Sequence, residues 1–135
     1  MTIAKQLKIK EFPFEIKDAD GKLIYCETSY GVWSKFEYDT NGNCIYHEDS
    51  DGFWNKFEYD TNGERIYFAG SDGFWSKHKY DANGKLIYRE DSTGVWSKRE
   101  YDTNGKLIYL ETSAGELVDN RPKKTDVQKA IELLT

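Results

Sequence analysis

At 135 residues the chain has room for one domain, and with 38% hydrophobic and 32% charged residues it is apolar-poor for a compact globule. Aromatic residues reach 16%, and each ring buries a large area with few rotatable bonds, so aromatic ladders can replace an aliphatic core and disorder is excluded. A net charge of −5 and a pI near 5.1 disfavour a direct nucleic-acid partner, and no stretch reaches the length of a membrane span.

The N-terminal MTIAKQLKIKEF lacks the apolar core of a signal peptide, so a cytoplasmic protein is expected. Over residues 2–16, Leu7 and Ile9 alternate with lysines, and Phe12, Phe14 and Ile16 alternate across Pro13. This alternation predicts extended strand, and a proline within it suits a sheet edge. Residues 1–16 are read as an N-terminal strand or cap, with Phe14–Lys17 as a partial repeat that starts the sheet.

From residue 17 the chain repeats with a period of 21 residues. The copies are Lys17–Glu37, Tyr38–Glu58, Tyr59–Lys79, Tyr80–Glu100 and Tyr101–Arg121. A fixed period marks an architecture of stacked units, none able to bury a face alone. Each copy carries two turn signals. Asp39-Thr40-Asn41-Gly42 ends in Asn-Gly, which favours the positive φ of a tight or bulged hairpin turn, and Asp49-Ser50-Asp51-Gly52 also ends in glycine. Short runs rich in Ile, Tyr, Trp and Val lie between the turns, predicting an all-β array of antiparallel hairpins with about two strands per copy.

Stacked copies place equivalent residues in rows. Trp33, Trp54, Trp75 and Trp96 form one, and Tyr25, Tyr46, Tyr67, Tyr88 and Tyr109 another; Ile24, Ile45, Ile66, Ile87 and Ile108 form a third, Tyr38, Tyr59, Tyr80 and Tyr101 a fourth. Strict alternation sends Ile87 and Tyr88 to opposite faces, so both faces of the sheet carry apolar rows. The array is therefore expected to be a meander with one aromatic face used for a partner, or to coil into a β-solenoid or close. Cys26 follows Tyr25 whereas Cys44 precedes Tyr46 by two, so the same rule points the two cysteines to opposite faces and predicts no disulfide. In residues 122–135, Thr125 and Gln128 form a capping box, and Val127, Ala130, Ile131 and Leu134 give one apolar side to a short helix expected to cap the last repeat.

A catalytic site needs unlike groups held in one place, whereas a repeat supplies like groups in rows, so an enzyme is not expected. The two histidines, His47 and His78, occupy different positions of their copies, and neither Cys-His nor Ser-His-Asp spacing is present. The turn carboxylates Asp39, Asp49, Asp51 and Asp60 offer oxygens for calcium, but the same residues serve turn hydrogen bonds, and the second motif decays to Gly70 and Thr93; no metal or cofactor is expected. What remains is a strip in which Trp33, Trp54, Trp75, Trp96, Tyr67 and Tyr88 supply anchors beside Lys56, Lys77, Lys98 and Glu58. These are the candidate partner-binding residues. Cross-strand charge pairing around an aromatic is the purely structural account of the same residues.

The repeat, with Tyr-Asp-x-Asn-Gly and its Trp or Tyr pair, resembles the choline- and glucan-binding repeats of bacterial surface proteins, with YDANGKLIY the nearest stretch. It also resembles the YD repeats of the RHS family and MORN-like antitoxin repeats. The wall-binding likeness implies a carbohydrate- or choline-binding module using the aromatic ladders. Small acidic repeat proteins of this style also resemble phage and mobile-element products. That likeness implies a non-enzymatic inhibitor in the host cytoplasm, of the anti-CRISPR kind, which binds a host nuclease or defence complex. Self-association through sheet edges is the third reading.

Overall fold

The computed structural model describes all 135 residues as one open, single-layer sheet. Helix α1 (Ile3–Gln6) precedes β1 (Phe14–Lys17), β2 (Leu23–Glu27), β3 (Trp33–Tyr38), β4 (Cys44–Asp49), β5 (Trp54–Tyr59) and β6 (Arg65–Gly70). The sheet continues through β7 (Trp75–Tyr80), β8 (Leu86–Asp91), β9 (Trp96–Tyr101), β10 (Leu107–Thr112) and β11 (Leu117–Asp119), and helix α2 (Asp126–Leu133) follows. The 11 strands pair antiparallel in sequence order, so the array is a meander, neither coiled into a solenoid nor closed.

The turns explain this regularity. In the first type, Gly42 has φ 86°, Asp39 N–H donates to the Asn43 carbonyl, and the Asp39 carboxylate accepts the Asn41 and Asn43 N–H groups at 2.9 Å. Asp60, Asp81 and Asp102 accept the equivalent bonds. Of the carboxylates considered above for calcium, Asp39, Asp51 and Asp60 thus accept turn N–H groups, and Asp49 accepts the Ser34 hydroxyl across the strands and pairs with His47. The second turn is bracketed by its invariant serine: Ser71 Oγ accepts the Trp54 N–H at 3.2 Å while Ser71 N–H donates to the Trp54 carbonyl. Ser50, Ser92 and Ser113 hold Trp33, Trp75 and Trp96 in the same way.

The first turns also break the alternation. Tyr38 pairs with Cys44 and Glu37 with Tyr46, leaving Ile45 as an extra residue. The same bulge recurs at Ile24, Ile66, Ile87 and Ile108. In a bulge two successive residues oppose one, so their side chains need not point apart. Ile87 and Tyr88 accordingly line the same groove, as do Ile66 and Tyr67, which corrects the expectation that they lie on opposite faces. The bulge also puts Cys44 on the face that carries Cys26; both thiols are free.

Register and alternation therefore define two unlike faces. One carries Trp54, Lys56 and Glu58 of β5 with Tyr46 and Tyr67 of its neighbours, and is called the Trp face. The other carries Phe36, His47, Phe57, Phe68, His78 and Arg89, and is called the Phe face.

Only 6 residues are buried, so the backbone ladder and side chains lying flat on their neighbours replace a central core. The densest point is the N-terminal end of the Trp face. There residues 3–6, expected to be strand, form α1 instead: Thr2 Oγ1 caps the Lys5 N–H, and Ala4, 1% exposed, packs down on the sheet. The alternation of Leu7 and Ile9 is too short to impose a strand once Thr2 offers a cap and Ile9 N–H bonds back to the Ala4 carbonyl. Pro13 precedes the edge strand β1, as expected of a proline at an edge. At the other end α2 forms with the anticipated capping box between Thr125 and Gln128. Every residue of α2 is exposed, Val127 at 69% and Ile131 at 55%, so its apolar side covers no strand in the way a cap does.

Candidate protein-binding faces

All ten candidate residues fall on the Trp face, because Trp, Lys and Glu are spaced by two along β3, β5 and β9, with Lys79 in place of the Glu in β7, and each Tyr lies opposite this series on the intervening strand. The lysines sit over the indoles: Lys35 Nζ is 4.8 Å from the Trp33 ring centroid, Lys56 and Lys77 are 5.2 Å from Trp54 and Trp75, and Lys98 is 5.4 Å from Trp96. These are cation–π pairs made within one strand. Tyr67 lies between Glu58 and Lys77, and Tyr88 between Lys79 and Lys98.

In β8 and β10 the tyrosine of this row also meets the glutamate two residues further along its own strand. Tyr88 Oη donates to Glu90 at 2.9 Å and Tyr109 Oη to Glu111 at 2.6 Å; these hydrogen bonds, with burial, raise both phenol pKa values. In β6 the carboxylate is replaced by Ala69, so Tyr67 has no such acceptor.

The two ends of the face are covered. In the first copy Tyr25 is 5% exposed, stacks on Trp33 at 6.2 Å, and donates to Glu27 at 2.7 Å; burial and this bond push its pKa up to about 12. Glu27 is 2% exposed and also accepts the Ala4 N–H at 3.1 Å. Burial opposes its ionisation, but the hydrogen bonds from Thr2, Tyr25 and Ala4 together hold the carboxyl below its ordinary value. In the last copy the Arg121 guanidinium lies 4.0 Å from the Tyr109 ring centroid and pairs with Asp119 and Glu100. Between these ends Tyr46, Tyr67 and Tyr88 remain half-buried under no other segment of the chain, with only the Lys79 ammonium, 5.7 Å from the Tyr88 ring centroid, lying over that ring.

The Phe face was not anticipated as a site. Phe36 stacks on His47 at 5.0 Å, Phe57 meets Phe68 at 5.4 Å, and the Arg65 guanidinium lies 5.8 and 5.6 Å from those two rings. His47 Nε2 is 2.8 Å from Asp49, whereas His78 Nδ1 is buried without a hydrogen-bond partner. Burial, followed by the charges of Arg89 and Arg65, lowers the His78 pKa. The signal available in the sequence was the facing pair of columns, but identifying it requires the hairpin register.

No family model matches the chain, and no curated protein matches it. Solved structures of Tc toxins are similar in fold. The Photorhabdus luminescens Tc holotoxin pore with the TccC3-D651A mutation matches with a TM-score of 0.56 and 17% identity over 74% of this chain and 5% of that one. TcdB2-TccC3-Cdc42 gives 0.55 and 17% over 73% and 5%, and TcdB2-TccC3-TEV gives 0.56 and 15% over 84% and 6%. The chain thus spans about 5% of the length of these structures. At such identities the likeness is one of fold: the chain is a β-hairpin meander, consistent with the YD/RHS-type repeat that its sequence resembles.

Proposed function

We propose that the chain is a non-enzymatic repeat module that binds a protein partner across the uncovered middle of its Trp face. The observation that supports this is the first copy. There the same Tyr and Glu are covered by a polypeptide, α1, whose Ala4 N–H donates to Glu27 and whose small side chain lets the backbone approach the sheet, and Tyr25 stacks on Trp33. Tyr88, Glu90 and Trp96 repeat that arrangement with no segment of main chain above them, only the side chains of Lys79 and Lys98 lying over the two rings. A half-buried aromatic row with polar groups beside it is the kind of surface that a protein partner desolvates. The net charge of −5 suits a basic partner, and a host nuclease or defence complex is one such class.

The choline and carbohydrate alternative finds less support. Each Trp ring that an aromatic cage would offer to a quaternary ammonium or a sugar already carries the chain's own Lys ammonium.

The test is the double substitution Trp54→Ala and Trp75→Ala, with far-UV circular dichroism to show that the array is intact. Affinity capture from the source lysate should then lose the partner that the unmodified chain retains. Capture of the same partner by the folded double variant would rule out the Trp face as the site.

A further inference from the structure

Of the five tyrosines in the row of the Trp face, the chain itself covers three. Tyr25 lies under α1, the Lys79 ammonium is 5.7 Å from the Tyr88 ring centroid, and the Arg121 guanidinium is 4.0 Å from that of Tyr109. Tyr46 and Tyr67 are half-buried and have neither a segment nor a cation over the ring.

The last copy shows what a filled position contains. Glu100 faces Tyr109 from β9, Asp119 faces it from β11, and Glu111 accepts the Tyr109 hydroxyl, so three carboxylates surround the ring. Arg121 lies on that ring and pairs with Asp119 at 2.9 Å and with Glu100 at 3.6 Å. A guanidinium suits the place because its flat face stacks on an aromatic ring while its edge meets carboxylates.

Tyr46 has closely similar surroundings without the arginine. Glu37 faces it from β3, as Glu100 faces Tyr109, and Glu48 stands two residues along its own strand, as Glu111 does. The third carboxylate is Glu58, the last residue of the second copy as Arg121 is of the fifth. Glu37, Glu58, Ile45, Tyr46 and Ile66 line one groove. The counterpart of Asp119 is Lys56, directly opposite Tyr46, but its ammonium is turned to Trp54, 5.2 Å from the ring centroid. Lys35, opposite Glu48, rests on Trp33 in the same way at 4.8 Å. Glu37, Glu48 and Glu58 make no ion pair within the chain. Burial, followed by the charges of Glu48 and Glu37, raises the Tyr46 phenol pKa, so both carboxylates act on the ring.

The other uncovered tyrosine offers less to a cation. Tyr67 keeps Glu58 opposite, but Ala69 replaces the glutamate two residues along, Lys77 stands on the other side, and Lys79 holds the end-of-copy position. We propose that the Tyr46 groove is a seat for an arginine side chain of the protein partner, with the guanidinium flat on the Tyr46 ring between Glu37 and Glu58 and the methylene stem along Ile45 and Ile66. The proposal rests on the Trp-face reading given above and supplies the group by which a basic partner is held.

The probe is the peptide acetyl-Ala-Arg-Ala-amide, titrated into the full chain carrying ring-labelled tyrosine and read by nuclear magnetic resonance at the Tyr46 ring. A saturable shift with half-saturation near ~1 mM is expected, weakened about tenfold in the Glu37→Gln, Glu58→Gln variant. Glu58→Arg places the chain's own arginine where the last copy has Arg121, and should fill the seat and abolish the titration. Both variants change exposed side chains, and a fall in binding with added salt is a readout that needs neither of them. Four outcomes would overturn the proposal: no saturable shift up to about 20 mM peptide, an equal shift with citrulline or lysine in place of arginine, binding of choline as tight as that of the peptide, or unchanged binding in Glu58→Arg. If the probe fails to bind while the folded Trp54→Ala, Trp75→Ala variant still loses its lysate partner, the arginine seat falls and the Trp-face function stands. Binding of the probe together with capture of the same partner by that variant would remove the partner from this face, and with it the assignment of the arginine to a partner.

Discussion

The first and fourth copies present the same three side chains at the same register, and their environments differ. Tyr25 and Glu27 lie under α1, 5% and 2% exposed, whereas Tyr88 and Glu90 are half-buried at an open face; Trp33 and Trp96 are half-buried in both copies. Both copies make the tyrosine-to-glutamate hydrogen bond, so the repeat itself sets the local geometry. Burial is set by what lies above. In a single-layer sheet no residue is inside by virtue of its strand alone, and a row of identical residues can be core at one end and binding surface in the middle.

The comparison predicts its largest difference for the tyrosines. Tyr25→Ala removes a buried ring and should cost about 3 kcal/mol, whereas Tyr88→Ala removes a half-buried one and should cost about 1 kcal/mol. Hydrogen exchange at the amides of β2–β3 and β8–β9 reads the two effects separately; equal losses would show that α1 adds little to the first copy.

Acid should act on one copy before the other. Glu27 is held below its ordinary value of 4.5 in the folded chain, so its contribution is complete above about pH 4.5 and is lost as the pH falls through the folded value. On lowering the pH from 5 to 3, Trp33 fluorescence should report release of α1, and Glu27→Gln should remove that step. A step that persists in the glutamine variant would place the titrating group elsewhere.

The smallest expected effect is one in which covered and open copies agree. Ser50→Ala and Ser71→Ala each delete the acceptor for a Trp N–H, at the first and second Trp strands respectively, and each should cost about 1 kcal/mol. Urea denaturation of the two variants checks this; a marked inequality would mean that the second turns are not equivalent along the array.

Much of the architecture was legible because it is local. Asp39-Thr40-Asn41-Gly42 encodes its own turn, with the carboxylate accepting two N–H groups of the next four residues and Gly42 taking the positive φ, and the same chemistry recurs at Asp60, Asp81 and Asp102. The rows of the candidate site were legible too, since Trp54, Lys56 and Glu58 are spaced by two along one strand. The neighbours of Tyr88 were misread. Alternation sends Ile87 to the other face, and only the pairing of Lys79 with Tyr88 and of Tyr80 with Leu86 exposes the bulge that keeps it on the same one. Cys44 was misplaced for the same reason. The helical start at Thr2 was obscured because a cap and a short alternation compete over the same few residues, and the docking of Ala4 on Glu27 decides between them.

By itself, then, the sequence determined the period, the turns, the strand count to within one or two, and which residues repeat, because each depends on contacts within about ten residues. The tertiary structure decided that the sheet stays open, that Ile and Tyr share a face, that Phe36 meets His47 and Phe57 meets Phe68 on the other face, and that only the first copy of the Trp face lies under a helix. These depend on register and on what rests on the sheet, and a periodic pattern carries neither, because it reads the same in every copy whether or not anything lies above.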